Sequence, residues 1–393
     1  MILRFILFFG TFLTVLFGAH FALYFSALHF FHITDSGTKN LLLWAVFLLS
    51  FSFFLSALLI RIHGNFLFNV YYFVSTVWIG LLVQLLFAAV AVWALVGVSR
   101  MAHFQLPLAQ VTSVLFGLAA AVVFYGVWNA FHPVIQNIEV KMKNLPKEWE
   151  GKTVVQLSDV HLGAINRAGF IQGVADQVNA LKPDLVLITG DLFDGMDGDL
   201  TGFIEPLDSI KSKFGVYFVT GNHEGYLGLE NALPILAKTQ IRYLKDEVAD
   251  LRGLQLVGID YPLAGDGGDP KAVFESQNYD SKKPTILMYH TPTNVLHTNG
   301  TRSGQQTTTY WKPDFDNTYA KSKGVDLQLS GHTHGGQFPP FSWGAHWVYN
   351  GRDHGLFIDG GFNLYVSNGV GTWGPPLRLF NRGEIVAIKL KSN

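Results

Sequence analysis

Residues 1–133 carry only five charged side chains, Arg4, Asp35, Lys39, Arg61 and Arg100, and they are spaced so that four long apolar stretches lie between the breaks. The stretches cover residues 5–31, 41–60, 66–98 and 106–131. About 20 apolar residues cross the hydrocarbon core as a helix, and a lipid environment demands that every backbone polar group be bonded internally. The pattern therefore predicts a four-helix, all-α transmembrane domain over 1–133. The stretch 66–98 is long for one crossing and too short for two, so tilt or an overhanging end is expected. A secretory signal is excluded for the first stretch, because a signal's apolar region runs only about 7–15 residues.

Removing this segment changes what the composition means. The whole chain of 393 residues is only 15% charged, but residues 134–393 hold 24 basic and 28 acidic side chains, an ordinary soluble balance. That part is mildly acidic and has no Lys/Arg run, which argues against a nucleic-acid partner. With no cysteine anywhere, thiolate metal sites and cysteine nucleophiles are excluded. Short-loop charges set orientation. Arg4, Arg61, Lys141, Lys143 and Lys147 fall on one side, and Lys39 and Arg100 on the other. This count predicts a multi-pass cell-membrane protein with both the N-terminus and the domain 134–393 in the cytoplasm. Of six histidines in the first third, His32, His63 and His103 flank the breaks, while His20 lies deep in its span. His20 is expected to hydrogen-bond a neighbouring helix rather than to serve a reaction.

From residue 138 the periodicity changes. Ile138-Glu139-Val140-Lys141-Met142-Lys143 alternates as a half-buried strand does. Short apolar runs follow at 153–157, 185–188, 216–219, 254–259, 285–289, 325–329, 364–366 and 385–388, with helical patterns near 167–181, 200–211 and 227–238. Strands that alternate with helices and then predominate argue for a layered α/β domain.

The chemistry is concentrated where those runs end. In chain order the endings are Ser158-Asp159-Val160-His161, Gly190-Asp191-Leu192-Phe193-Asp194, Gly221-Asn222-His223-Glu224, Tyr289-His290 and Ser330-Gly331-His332-Thr333-His334. Open α/β sheets gather their sites at the carboxyl ends of strands. A single Gly-Asp or Asn is ordinary turn chemistry. Turn chemistry does not explain five successive endings in metal-ligand types. The i,i+2 pairs Asp159/His161 and His332/His334 put both side chains on one side of an extended segment. A mixed carboxylate, amide and imidazole set suits two divalent ions such as Mn, Fe or Zn.

These five blocks, in this order, resemble the calcineurin-like metallophosphoesterase superfamily. The string from Gly324 through Gly331-His332-Thr333-His334-Gly335-Gly336-Gln337, with the tail Leu364-Tyr365-Val366-Ser367-Asn368-Gly369, Pro376-Leu377-Arg378 and Glu384-Ile385, is similar to its bacterial membrane-associated branch. The resemblance covers about 138–393 and implies a four-layer αββα sandwich over 134–393. It implies one metal on Asp159, His161 and His334, and a second on Asn222, His290 and His332, with Asp191 bridging. His223 would face the phosphoryl group, oriented by a carboxylate such as Asp194 or Glu224. A metal-bridging hydroxide would attack a phosphomonoester, phosphodiester or pyrophosphate bond. Neutral imidazole ligands further imply metal loss and falling activity in acid.

The chain departs from that pattern between His290 and His332. Residues 297–320, rich in Thr, Gly, Asn, Gln and Tyr, read either as a lid carrying Arg302, Tyr310 and Lys312 or as a plain surface loop. The loop 264–270 lacks the ligands of a calcium site and reads as a turn. Phe338, Phe341, Trp343, Trp347 and Trp373 form an aromatic set that either packs within a strand-rich layer or meets an acyl chain or the membrane interface. The expected function is a membrane-bound hydrolase acting on a lipid or lipid-linked substrate. Among such substrates is UDP-diacylglucosamine, whose pyrophosphate is cleaved by relatives in the superfamily. The alternatives are a hydrolase of soluble nucleotides or small phosphoesters, and a non-catalytic membrane sensor or scaffold. The complete ligand set favours catalysis.

Overall fold

The computed structural model describes residues 2–62, 64–195, 199–262, 269–296 and 313–393, with side chains from residue 10 onward. Arg302, Tyr310, Lys312, His63 and most of the loop 264–270 lie outside the described residues. Of that loop, Asp269 caps a short helix by accepting the Lys271 amide.

Two compact units emerge, Met1–Trp128 with Gly374–Leu377, and Asn129–Trp373 with Arg378–Asn393. The first is built on four helices, α1 (Ile2–Phe30), α2 (Ser36–Ile62), α3 (Phe66–Met101) and α4 (Leu108–Ala130). Each is long and apolar enough to cross a membrane, and α3 is one unbroken helix of 36 residues. Its start is capped by Asn65, whose side chain accepts the Phe68 amide. Several polar side chains inside this unit are paired, although Gln84 Nε2 of α3 is buried without a partner. His20 is fully buried, its Nδ1 donates to the Leu16 carbonyl at 2.8 Å, and its Nε2 accepts from Trp78 Nε1 at 2.9 Å. A carbonyl can only accept and an indole N–H can only donate, so the ring is neutral with its proton on Nδ1. His20 thus bonds across to another helix. Ser56 and Ser75 likewise join α2 to α3.

The second unit comprises β1 (Val134–Met142), β2 (Thr153–Leu157), α5 (Ala168–Ala180), β3 (Leu185–Thr189), α6 (Ile204–Asp208), β4 (Val216–Val219), α7 (Asn222–Leu227), α8 (Leu229–Leu236), β5 (Ile241–Tyr243), β6 (Glu247–Leu251) and β7 (Leu254–Ile259). It continues with α9 (Pro270–Phe274), β8 (Thr285–Tyr289), α10 (Thr318–Ser322), β9 (Leu327–Ser330), α11 (Phe341–Val348), β10 (Gly355–Asp359), β11 (Phe362–Val366) and β12 (Glu384–Ser392). Two six-stranded sheets result, ordered β1-β12-β2-β3-β4-β5 and β10-β11-β9-β8-β7-β6.

Their facing sides share one core, in which Val154, Leu187 and Val219 from the first sheet meet Leu256, Met288 and Leu329 from the second. The outer face of the first sheet is covered through Ile171, Val174, Leu207 and Ile235 of α5, α6 and α8. The outer face of the second is covered through Val273, Phe274 and Ala320 of α9 and α10. This is an αββα sandwich. Central strands buried on both faces read as continuous apolar runs, which is why 185–188 and 285–289 showed no alternation. The helical pattern at 227–238 is split, because Gly228 takes φ 87° between α7 and α8.

The strands β2, β3 and β4 run parallel, as do β7, β8 and β9. Their carboxyl ends therefore lie at one edge of the sandwich, and the conspicuous polar blocks follow those ends.

Candidate metal centre

Asp159 and His161 follow β2, Asp191 and Asp194 follow β3, and Asn222, His223 and Glu224 open α7 after β4. His290 follows β8, and His332 and His334 follow β9. The structure brings all ten to one place, in two sets.

In the first set, His161 Nε2 faces His334 Nε2 at 2.9 Å and His334 Nε2 lies 3.4 Å from Asp159 Oδ1. In the second, His290 Nε2 lies 3.1 Å from Asp191 Oδ2, 3.2 Å from Asn222 Oδ1 and 3.2 Å from His332 Nδ1. Asp191 Oδ2 is also 3.9 Å from His161 Nε2, so this one carboxylate borders both sets. His290 Nδ1 donates to the Thr189 carbonyl at 2.9 Å, which turns Nε2 toward the second set.

The backbone achieves this differently from the expectation. Asp159, His161, Asp191, His332 and His334 all have positive φ, between 49° and 74°. The i,i+2 pairs are thus not extended segments but left-handed turns, a conformation costly for non-glycine residues and concentrated at functional sites. The turn also separates His332 and His334, so that one joins His290 and the other joins His161. Gly221 and Gly331 let these turns close. A Cβ at Gly331 would collide with the Asp159 carboxylate, and one at Gly221 with that of Asp191.

Asp194 and Glu224 are placed differently from the sequence expectation. The His223 ring is held by the main-chain carbonyl of Asp194, which accepts from Nδ1 at 2.6 Å. The Asp194 carboxylate lies 4.0 Å from His223 Nδ1 but 3.5 Å from His161 Nδ1. Glu224 does not reach the imidazole. Its carboxylate accepts the amides of Gly221 at 2.7 Å, Asp191 at 3.0 Å and Phe193 at 3.1 Å, clamping the β3 turn to the start of α7.

Burial dominates the electrostatics. It pulls His332 down to about 3, with the neighbouring His290 adding to the effect. His334 is depressed by burial, His161 and the Arg378 guanidinium. Burial and His161 also lower His223. Burial opposes charge on His290 too, but the adjacent Asp191 outweighs it and pushes that ring up to about 9. Burial and repulsion from Asp191 raise Glu224 to about 7. Carboxylate oxygens and imidazole nitrogens thus converge on the same two places, with facing ring nitrogens 2.9–3.2 Å apart, close enough for one neutral ring to donate to the other or for both to bind one cation. Oxygen and imidazole donors in two adjoining sets fit a pair of divalent cations.

Two stacked mixed sheets with this donor array at the carboxyl ends of their parallel strands suit a divalent-metal centre. The chain belongs to the calcineurin-like phosphoesterase family, whose model matches residues 152–336. An uncharacterized metallophosphoesterase of Campylobacter jejuni is 34% identical over 283 residues, which cover 70% of this chain and 68% of the relative. A transmembrane protein with metallophosphoesterase domain from Danio rerio is 31% identical over 292 residues, 70% of this chain and 61% of that one. Among solved structures, a dimetal phosphatase from Danio rerio aligns with TM-score 0.36 and 14% identity, covering 56% of this chain and 88% of that chain. The chain thus spans about two thirds of the first relative's length and less of the second's. The four apolar helices and the relatives named as transmembrane proteins mark a membrane protein.

The sequence reading assigned no role to Arg378, although it lies against the site. It is fully buried, and its guanidinium donates to the carbonyls of Gly371 at 2.6 Å and Asn368 at 2.7 Å. These belong to the segment directly behind Asp159, where the Gly371 amide bonds the Asp159 carbonyl at 3.0 Å. Tyr226, 5.0 Å from His223 between ring centroids, and Tyr261, stacked on His332 at 6.4 Å, were also not singled out. No motif marks them.

Proposed function

We propose that this protein is a membrane-bound, two-metal phosphoester hydrolase that acts on a lipid or lipid-linked substrate from the cytoplasmic face. The observation that carries the reading is the pair of donor sets joined by Asp191. Asp159, His161 and His334 would hold one cation, and Asn222, His290 and His332 the other, each shared with Asp191. When bound, a pair of divalent ions lowers the pKa of a water and offsets charge on the attacking and leaving oxygens of an in-line displacement.

The chain's own contribution follows from the hydrogen bonds. Because the Asp194 carbonyl takes the proton on His223 Nδ1, Nε2 is the atom left for the substrate. Burial keeps that ring neutral, and the negative charge of an arriving phosphate favours its protonated form. Having taken a proton from solvent at Nε2 as the substrate binds, His223 would then deliver it to the leaving oxygen. Glu224 fixes the two turns that carry Asp191 and Asn222. Membrane residence of the chain supports a lipid-borne ester over a freely soluble one.

The test is hydrolysis by the purified full chain, in detergent with Mn²⁺, of matched chromogenic mono- and diesters and of phosphorylated lipids, with Asn222→Ala alongside. Turnover of one ester class by the wild type and none by the variant is the expected result. Equal cleavage by both proteins would remove the assignment of Asn222.

A further inference from the structure

The aromatic set that the sequence left open is not buried in a strand layer. Phe338 is buried, but Phe341, Trp343, Trp347 and Trp373 are 56%, 62%, 80% and 58% exposed, and Phe380 is 93% exposed. Helix α11, which carries three of them, has no buried residue. Exposed apolar surface of this kind marks an interaction face.

Gln337 links the parts of this aromatic wall, and the Phe338 and Phe341 rings meet at 5.2 Å between centroids. Gln337 Nε2 donates to the Trp373 carbonyl and its Oε1 accepts the Trp373 amide, both at 2.8 Å, while its own carbonyl accepts the Leu379 amide at 2.9 Å. Gln337 thereby ties the approach to α11 to both flanks of the segment Gly374–Leu377. The wall also borders the candidate centre, since the Trp373 ring lies 6.4 Å from that of His223.

What covers the wall is indicated by the segment it flanks. Gly374–Leu377 belongs to the unit of four apolar helices. Within that unit, Gly80 of α3 leaves room for it: a Cβ there would lie 3.0 Å from Leu377 Cδ2 and 3.7 Å from Pro375 Cβ. Gly80 is about 21 Å along α3 from Phe66, at about 1.5 Å per residue, so it falls within nearly any stretch of α3 placed across the bilayer. Trp373 is bonded to Gly374, and Phe380 is three residues beyond Leu377, a reach of at most about 11 Å for an extended chain.

We propose that Trp343, Trp347, Trp373 and Phe380 are seated in the lipid of the bilayer interface, and that the phosphoester enters the centre sideways from the membrane past Trp373 and Tyr226. Indole rings prefer this depth, and a short helix free of Asp, Glu, Lys and Arg that exposes two Trp rings enters it at little cost. The inference deepens the proposed function and rests on it for the substrate's route, but the seating of the wall can be measured without turnover.

The absence of native cysteine makes the measurement clean. Trp347→Cys, Phe380→Cys and, as an exposed reference elsewhere in the second unit, Lys282→Cys would each be labelled with nitrobenzoxadiazole in the full chain. The proteins would be reconstituted in phosphatidylcholine/phosphatidylglycerol vesicles, with doxyl-labelled phosphatidylcholine or aqueous iodide as quencher. Doxyl lipid should quench positions 347 and 380 several times more than 282, with iodide showing the reverse order. Quenching of 347 and 380 by iodide to the level of 282, without response to doxyl lipid, would overturn the proposal. So would shielding from both quenchers, which would assign the wall to a partner protein or a second copy. Hydrolysis measured on the same samples separates either failure from failure of the enzymatic reading.

Discussion

Asp191→Asn is expected to reduce phosphoester hydrolysis by more than the roughly 100-fold typical of changes to groups outside a metal's own ligands. Three distances set that expectation. Asp191 Oδ2 lies 3.1 Å from His290 Nε2 and 3.9 Å from His161 Nε2, and Oδ1 accepts the His223 amide at 2.8 Å. The carboxylate is therefore the common member of both donor sets and also fixes the residue proposed to face the leaving group. Asparagine keeps the shape but removes the negative charge that two neighbouring cations need, and replaces one oxygen with a donor that repels them. The loss should appear in kcat together with a fall in bound metal, while thermal unfolding changes little. Near-wild-type turnover with full metal content would show that the two sets do not share this residue.

Arg378→Met should be the most damaging single change to the catalytic unit outside the ligands themselves. The guanidinium is fully buried and donates closely to two main-chain carbonyls, Gly371 at 2.6 Å and Asn368 at 2.7 Å, with longer bonds to those of Gly369 at 3.4 Å and His334 at 3.5 Å. Methionine fills much of the volume but leaves both close acceptors dry and unpaired. With about 1.5–3 kcal/mol for each bond to a charged group, a destabilisation of about 3–6 kcal/mol is expected. It would be read as a lower denaturation midpoint of the full chain in detergent. Metal affinity should fall as well, because the freed segment backs Asp159 through the bonds from the Val370 amide to Ser158 and from the Gly371 amide to Asp159. An unchanged midpoint would mean that these carbonyls find other donors. Lysine is not expected to restore the wild type, since its single ammonium cannot reproduce the planar fork.

Much of this architecture is visible in the sequence because the forces that specify it are local. The four apolar helices follow from length and charge, and the helix expected at 66–98 is α3, extended by three residues at its end. The central strands are short apolar runs, and their endings stand out because Gly-Asp, Gly-Asn-His and Gly-His turns interrupt them abruptly.

What the sequence hides depends on partners distant in the chain. The three-residue strand β5 and the edge strands β6 and β10 exist through the neighbours they pair with. Helix α11, Phe-Ser-Trp-Gly-Ala-His-Trp-Val, has a central glycine and no side-chain cap, so neither propensity nor capping announces it. The left-handed backbone at Asp159, His161, Asp191, His332 and His334 is imposed by the junctions of the parallel strands, and residue type does not foretell it. Glu224 reads as a catalytic carboxylate beside His223 only until its three amide partners are known. Arg378 was no more than one letter of a family tail until the carbonyls around it were known.

The claim that two cations held by these residues carry the activity is tested most directly by metal titration. The full chain would be stripped with chelator and its phosphoester hydrolysis followed as Mn²⁺ is returned, with bound metal measured in the same samples. The account predicts no activity in the stripped protein and recovery that saturates at two bound ions per chain. Undiminished hydrolysis by the stripped protein would contradict it.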